Sequence, residues 1–183
     1  MKGTAKIVLA KAGPFLGLLV VIVLFSIPNE TREFFLTYHN FKTIFTQTVI
    51  VAIGALGMTL IIVSGGIDLS VGSSIAFTSV VGALLIQKGW GPMPALLAMV
   101  ASGGIIGLLN GAAIAALRLV PFIITLGALG VWRGSAKWLA DNQTVNYEAS
   151  PINTWMTTTD PFGYTLPAGV WVALVLAVLT SLL

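Results

Sequence analysis

The residues with the clearest potential for chemistry lie in the stretch SGGIDLSVGS, which runs from Ser64 to Ser73. Asp68 is the only ionisable side chain between Thr43 and Gln87, so its carboxylate lies in an otherwise apolar region. An ionisable residue inside a membrane segment is a functional candidate by default, because burying its charge is costly. Such a carboxylate can couple to an ion, or it can serve only in local structure.

Paired glycines precede this carboxylate. Gly65 and Gly66 allow backbone angles that a regular helix does not hold. Asp68 or Ser70 can then cap the next helix, whose free N–H groups and dipole favour an anion. Two interpretations stay open: a capped turn at the membrane edge, or a broken helix whose backbone lines a transport path.

Polar residues also mark the apolar segment before this stretch. Thr43, Gln47, Gly54 and Gly57 fall at helical spacing, with Thr46 beside them. Such a stripe indicates a face that meets protein or water rather than lipid. Helix packing is one interpretation, and a role for Thr46 and Gln47 in lining a substrate pathway is the other.

A later apolar segment carries Asn110 beside a ladder of small residues. We expect the ladder to let another helix approach closely. Asn110 can form a hydrogen bond across helices or face a pathway. The ladder consists of Gly103, Gly107, Gly111 and Ala115.

Several kinds of site are excluded. The absence of cysteine rules out disulfides, thiol catalysis and cysteine-based metal sites. The single histidine, His39, is expected in the loop between the first two helices, and it has no partner of the HExxH type for zinc. There is no phosphate-binding GxxxxGK[ST] sequence and no evident Ser/His/Asp set. We therefore expect no enzyme activity, no metal and no cofactor in this chain.

The composition predicts elements that fold in lipid. Hydrophobic residues make up 57% of the 183 and charged residues 8%, against about 25% charged in a soluble domain. The net charge is +3, but the basic residues do not cluster, so nucleic acid is not an expected partner. We predict an all-α, polytopic transmembrane helical bundle that forms one domain over residues 1–183.

About six membrane segments can be drawn from the apolar runs. The fifth is short, because the 14 residues from Leu119 to Trp132 give only about 21 Å of helix. Arg133 and Lys137 then lie one turn apart and are expected to snorkel toward headgroups, so a full span and a partial helix both stay open. The predicted segments are Ala12 to Ile27, Thr43 to Val63, Ser70 to Gln87, Pro94 to Leu117, Leu119 to Trp132 and Pro167 to Leu183.

Basic residues in short loops set the expected orientation. Lys2, Lys6 and Lys11 place the N-terminus in the cytoplasm, and the stretch from Asp141 to Leu166 has no Lys or Arg, which suits the outside. The bias is modest, because five basic residues would also lie outside: Arg32, Lys42, Lys88, Arg133 and Lys137.

Two blocks resemble a known family. SGGIDLSVGS resembles the signature of the ribose/xylose/arabinose-type permeases of bacterial ABC importers. A second block, PFIITLG followed by Arg133 and Gly134, is similar to the family's PFI-x-TLG…RG pattern. The likeness covers most of the chain from Thr43 to Asn146. Its candidate residues are Ser64, Gly65, Gly66, Asp68, Ser70, Gly72 and Ser73 in the first motif, and Pro121, Thr125, Gly127, Arg133 and Gly134 in the second.

The resemblance implies a transport subunit that moves a monosaccharide across the bacterial inner membrane. It implies that two permeases pair, as a homodimer or heterodimer, that a periplasmic protein delivers the sugar, and that separate cytoplasmic subunits bind and hydrolyse ATP. It also implies that Asp68 and the Arg133 block matter for structure or gating. It does not identify the sugar.

The sequence departs from the family pattern at its end. Family members continue through a cytoplasmic coupling loop with a GGNE-x-AA-like sequence, whereas this sequence stops at Leu183 inside an apolar run. We therefore expect the N-terminal portion of a longer permease domain, as a fragment or a split gene product. The rival hypotheses are an ion-coupled secondary transporter that uses Asp68, and a membrane fragment that transports nothing.

Overall fold

The structure, a computed structural model, describes the backbone of residues 2–147 and 167–182 and the side chains of residues 12–147 and 167–182. The described part is helical and contains no strand, which confirms the all-α prediction there. Its seven helices are α1 (Lys2–Ser26), α2 (Asn29–Phe35), α3 (Tyr38–Val63), α4 (Val71–Gln87), α5 (Pro92–Leu117), α6 (Pro121–Leu139) and α7 (Ala168–Ser181).

Two of the described helices, α3 and α5, are long and apolar enough to cross a membrane. Each has 26 residues, or about 39 Å of helix against a hydrocarbon core of about 30 Å. A third span results if Ala12–Ser26 of α1 and all of α2, which meet at a bend of 117°, are counted as one. The helices α4 and α7 are apolar but shorter. The predicted number of about six spanning segments is therefore not confirmed.

Helix α3 begins earlier than the apolar pattern predicts. It starts at Tyr38, so His39 lies in a helix and the prediction of a loop there is wrong. The Thr37 hydroxyl accepts a hydrogen bond from the Asn40 N–H at 3.2 Å, which caps the first turn. Hydropathy marks where a helix enters lipid, whereas a capping side chain marks where the helix starts.

The fifth predicted segment was drawn too short. Its helix, α6, continues through Arg133 and Lys137 to Leu139 and has 19 residues, or about 28 Å. Arg and Lys are good helix formers, so the end of the apolar run does not end the helix.

The chain divides into two compact units, Met1–Gln47 and Thr48–Leu183. In the first unit, the ring of Phe35 on α2 stacks on Phe25 of α1 with centroids 5.6 Å apart. The Asn40 side-chain amide also donates a hydrogen bond to the Phe35 carbonyl at 2.9 Å. The prediction of one domain over residues 1–183 stays a prediction.

In the second unit, α4 is the central helix and packs against both α5 and α6. Contacts with α5 run in opposite senses along the two helices: Thr78 faces Gly103, and Gly82 faces Met99, so the helices are antiparallel. A Cβ at Gly82 would overlap the Met99 thioether, so the absence of a side chain there permits the close approach. Against α6, α4 packs Phe77 beside Trp132, with ring centroids 5.5 Å apart and ring planes tilted by 57°.

Among the described residues, the small-residue ladder on α5 packs against another helix only at its first member. Gly103 is half-buried and its Cβ position would lie 3.7 Å from the Thr78 methyl group. Gly107, Gly111 and Ala115 are exposed, so their role in close helix packing stays a prediction.

Candidate functional site

The α3–α4 junction, residues 64–70, is a sharp break held by local hydrogen bonds. Gly65 adopts φ +84°, and its N–H donates to the Ile62 carbonyl at 2.9 Å, while the Gly66 N–H donates to the Ile61 carbonyl at 2.9 Å. These two bonds form a Schellman motif, which satisfies carbonyls at the end of α3. The prediction that Gly65 takes a non-helical conformation is confirmed.

Gly66 serves close packing rather than a positive φ. A Cβ there would lie 3.2 Å from the Ile61 side chain and 3.7 Å from the Cβ of Pro121. The start of α6 therefore lies directly against the junction. A residue of the first sequence motif contacts the first residue of the second.

Asp68 holds the backbone of the junction just before α4 begins. Its Oδ1 accepts hydrogen bonds from the Ser70 N–H at 2.7 Å and from the Ser70 hydroxyl at 2.6 Å. This local turn is typical of aspartate, whose side chain bonds to the backbone two residues on.

The predicted side-chain cap of α4 is wrong. Ser70 occupies the N-cap position with φ −84° and ψ −7°, but no described side chain caps the helix there. The Ser70 hydroxyl is already engaged by Asp68, and the Asp68 carboxylate receives the N–H of the cap residue itself rather than those of the first turn.

Ser70 connects the junction to the middle of α5. It is fully buried, and its hydroxyl oxygen accepts a hydrogen bond at 2.9 Å from the side-chain amide of Asn110, which is 8% exposed. Because the serine proton points to Asp68, the three side chains form a directional chain from amide to hydroxyl to carboxylate. In a low-dielectric interior such a satisfied network is strong, and removing one member leaves the others unpaired.

Thr125 connects the same junction to α6. Its hydroxyl oxygen accepts a hydrogen bond from the Leu69 N–H at 3.1 Å. The same hydroxyl group donates toward the carbonyl oxygens of Ile67 and Phe122, which lie 3.2 Å and 3.3 Å from the hydroxyl oxygen. Thr125 is 2% exposed. Backbone groups outside a helix need partners when they lie within a bilayer, and this side chain supplies them.

A cavity between α4 and α6 adjoins the α3–α4 junction. This junction cleft has a volume of about 340 Å³ and is lined by Leu69, Gly72, Ser73, Ala76, Leu129 and Arg133. It therefore brings residues of both sequence motifs to one space. Ser73 is buried there and its hydroxyl donates to the Ser70 carbonyl at 2.7 Å.

The two pathway candidates on α3, Thr46 and Gln47, belong to the first compact unit, and their role in lining a pathway stays a prediction. The Thr46 hydroxyl donates to the Lys42 carbonyl of its own helix at 2.9 Å, and Gln47 is exposed.

Other motif residues lie at or near the junction without contributing to the Asp68–Ser70–Asn110 chain. The Ser64 hydroxyl is exposed and bonds back to the carbonyls of Leu60 and Ile61 at 3.0 and 2.9 Å. At Gly127 and Gly134, a Cβ would meet no described atom within 4 Å, so their glycine identity is not explained by packing within the described residues.

Sequence reasoning missed the pairing of Ser70 with Asn110 and of Thr125 with the Leu69 N–H. Ser70, Asn110 and Thr125 were all candidates, but the two pairs are separated by 40 and 56 positions, and this spacing gave no signal of contact. Ser74 was missed as well: its hydroxyl donates to the Ser70 carbonyl at 2.9 Å. Two consecutive serines one turn after the cap position were the available signal for such a bond.

Among the described residues, no three His, Asp or Glu side chains are grouped so that they could hold a metal ion. The junction cleft instead presents the Ser73 hydroxyl and the Arg133 guanidinium beside the apolar side chains of Leu69 and Leu129. A few polar groups on an apolar lining are typical of a site for a small molecule.

Comparison with known proteins identifies the family of the chain. The family profile described as "Branched-chain amino acid transport system / permease component" matches residues 40–183. The ribose import permease protein of Escherichia coli is 35% identical over 158 residues, which are 85% of this chain and 49% of that protein. The ribose import permease protein of Bacillus subtilis is 39% identical over 127 residues, 69% of this chain and 38% of that protein.

A third relative is the D-allose transport system permease protein of Escherichia coli, 35% identical over 136 residues, 74% of this chain and 41% of that protein. The chain thus spans about half the length, or less, of the curated relatives it matches. No solved structure matched it. The profile nevertheless covers all of the junction and both motifs, and the chain belongs to this family of transport-system permease components.

Proposed function

We propose that this chain is the membrane-spanning permease subunit of a bacterial ATP-driven importer and that it carries a monosaccharide across the inner membrane. Relatives are named for the import or transport of ribose, allose and galactofuranose, which are all monosaccharides. The N-terminus lies in the cytoplasm in this proposal, as the basic residues before α1 favour.

The observation that carries the proposal is the break between α3 and α4. Helices are interrupted at membrane depth only where protein or a cavity satisfies the freed backbone. Here the Leu69 N–H bonds to Thr125, and the junction cleft opens beside Gly72 and Ser73. A sugar offers hydroxyl groups that suit hydrogen bonding to the Ser73 hydroxyl and the Arg133 guanidinium in this cleft.

The chain itself supplies a route and not the energy. In this proposal two permease subunits pair, a periplasmic protein delivers the sugar, and cytoplasmic subunits bind and hydrolyse ATP. The large apolar side chains exposed on α1, α3 and α5 suit contact with lipid and with a second subunit.

Reconstituted transport tests the proposal. The permease, its ATP-binding subunits and its sugar-binding protein would be placed in liposomes and supplied with radiolabelled ribose or allose. We expect uptake that requires ATP and is unchanged by a protonophore or by removal of sodium. Uptake without ATP that collapses with the ion gradient would instead identify an ion-coupled transporter with Asp68 as the coupling carboxylate. No uptake, with no binding of the partner subunits, would identify a non-transporting fragment.

A further inference from the structure

A second cleft lies between α4 and α6, toward the end of α6. This basic cleft has a volume of about 410 Å³ and shares Arg133 with the junction cleft. Arg133 and Lys137 are four residues apart, so they line the cleft from the same face of α6. Val80 and Ala136 give it an apolar part, and Asn142 and Gln143 give it a polar part.

The two cations of the basic cleft are not neutralised by any described residue. Neither Arg133 nor Lys137 forms an ion pair within the described part of the chain, and none of the described lining residues is a carboxylate. Both side chains are exposed. Two cations one turn apart, without an acidic partner among the described residues, give the cleft a positive potential that favours an anion.

The position of the cleft on α6 matches the headgroup level of a bilayer. Helix α6 ends at Leu139, two residues after Lys137. Trp138, next to Lys137, is 77% exposed, and Trp at helix ends is typical of the membrane–water interface. Earlier on the helix, Leu126 and Val131 are 51% and 60% exposed, as expected of a surface that meets acyl chains.

We propose that the basic cleft binds an anionic phospholipid, with the lipid phosphate between Arg133 and Lys137. Basic pockets between membrane helices are suited to anionic headgroups. The lipid's glycerol end meets Asn142 and Gln143, and its acyl chains follow the apolar part of the cleft at Val80 and Ala136. Because Arg133 also lines the junction cleft, the bound lipid fixes a side chain that both clefts share.

The lining of the cleft favours a lipid over a free anion or a sugar. A soluble phosphate would gain no binding energy from the apolar surface that Val80 and Ala136 contribute to the cleft. A neutral sugar would gain little from two uncompensated positive charges. An amphiphile with one anionic end fits both halves of the cleft, and the surrounding bilayer supplies it at high local concentration.

Native mass spectrometry of the purified full chain, titrated with phosphatidylglycerol or phosphatidylcholine, tests the proposal. We expect phosphatidylglycerol to bind at least about fivefold more tightly, which is the effect of one basic residue near an anionic surface. Lys137→Gln should reduce that preference by about fivefold, while Lys137→Arg should retain it because the charge is kept. Inorganic phosphate should not displace the lipid.

Lys88→Gln is the matched control, because Lys88 is an exposed cation that follows α4 and does not line the basic cleft. It should leave the preference for phosphatidylglycerol unchanged. Equal binding of the two lipids, or an equal loss in Lys88→Gln and Lys137→Gln, would overturn the proposal. Displacement of the lipid by inorganic phosphate would show a small-anion site instead. A loss in Lys137→Arg as large as in Lys137→Gln would also contradict the role of charge.

Discussion

At the scale of single residues, Ser70 is the centre of the site. Its hydroxyl donates to Asp68 and accepts from Asn110, and its carbonyl accepts from the hydroxyls of Ser73 and Ser74. Each of these bonds uses a donor or acceptor that would otherwise be unpaired in an apolar setting, where an unsatisfied group is costly. The function of the junction therefore begins with keeping a non-helical backbone stable inside a membrane protein.

Replacing the Asp68 carboxylate should weaken the hydrogen bonds of the junction without abolishing them. In Asp68→Asn, the amide oxygen can still accept from Ser70, but the bonds lose their charge assistance, so we expect a stability loss of about 1 kcal/mol. ATP-dependent uptake should fall as well. Thermal unfolding in detergent measures the first effect and the liposome assay the second. Asp141→Asn, at an exposed loop residue, is the control. An equal loss of stability and uptake in both variants would contradict the role of Asp68 in holding the junction.

The hydroxyl group of Thr125 should contribute more to stability than the volume of the side chain does. Thr125→Val keeps the volume but leaves the Leu69 N–H without its partner, which costs about 1–3 kcal/mol. Thr125→Ser keeps the hydroxyl and should lose less stability. Unfolding of the two variants in the same detergent compares them directly. If valine and serine were equivalent, the hydrogen bond to Leu69 would not stabilise the junction.

At the scale of elements, α4 is held between an antiparallel and a parallel neighbour. The close approach of α5 depends on Gly82, and the placement of α6 depends on Pro121 against Gly66 and on Thr125 against Leu69. The junction is thus fixed from both sides by helices that belong to the same compact unit.

A side chain at the α4–α5 contact should force the helices apart. Gly82→Ala places a Cβ on the Met99 thioether, and overpacking of this kind costs about 1–3 kcal/mol. Gly104→Ala, at a position where a Cβ meets no described atom within 4 Å, should be neutral or should stabilise by up to about 1 kcal/mol. Thermal unfolding in detergent compares the stability of the Gly82→Ala and Gly104→Ala variants. In a Met99→Ala background, Gly82→Ala should cost less stability than it does in the unchanged chain, and an equal cost in both backgrounds would contradict the described contact.

The sequence predicts the middle elements well and the connections poorly. The predicted segments Ser70 to Gln87 and Pro94 to Leu117 differ from α4 and α5 by one or two residues, because Gly and Pro end the apolar runs there. Helix α2 was missed because its first five residues are polar, and polarity alone does not distinguish a short helix from a loop. The pairing of Ser70 with Asn110 could not be predicted, because the separation of two residues along the sequence does not reveal whether they are in contact in the folded chain.

At the scale of the whole molecule, the junction network contains a single charged side chain. Asp68 is the only ionisable residue between Thr43 and Gln87, and hydroxyl, amide and backbone groups provide the rest of the network. The adjoining junction cleft carries the Arg133 cation and the Ser73 hydroxyl on a lining that is otherwise apolar or glycine. A few polar groups on an apolar lining are the usual form of a small-molecule site, which agrees with the proposal of sugar transport.

The central claim is that a satisfied hydrogen-bond chain joins the α3–α4 junction to α5. A double-mutant cycle of Ser70→Ala and Asn110→Ala, read out as the free energy of unfolding in detergent, tests it most directly. Because the two side chains share one hydrogen bond at 2.9 Å, we predict a coupling energy of at least about 0.5–1 kcal/mol. If the two losses simply add, the residues do not interact, and the account of the junction is contradicted.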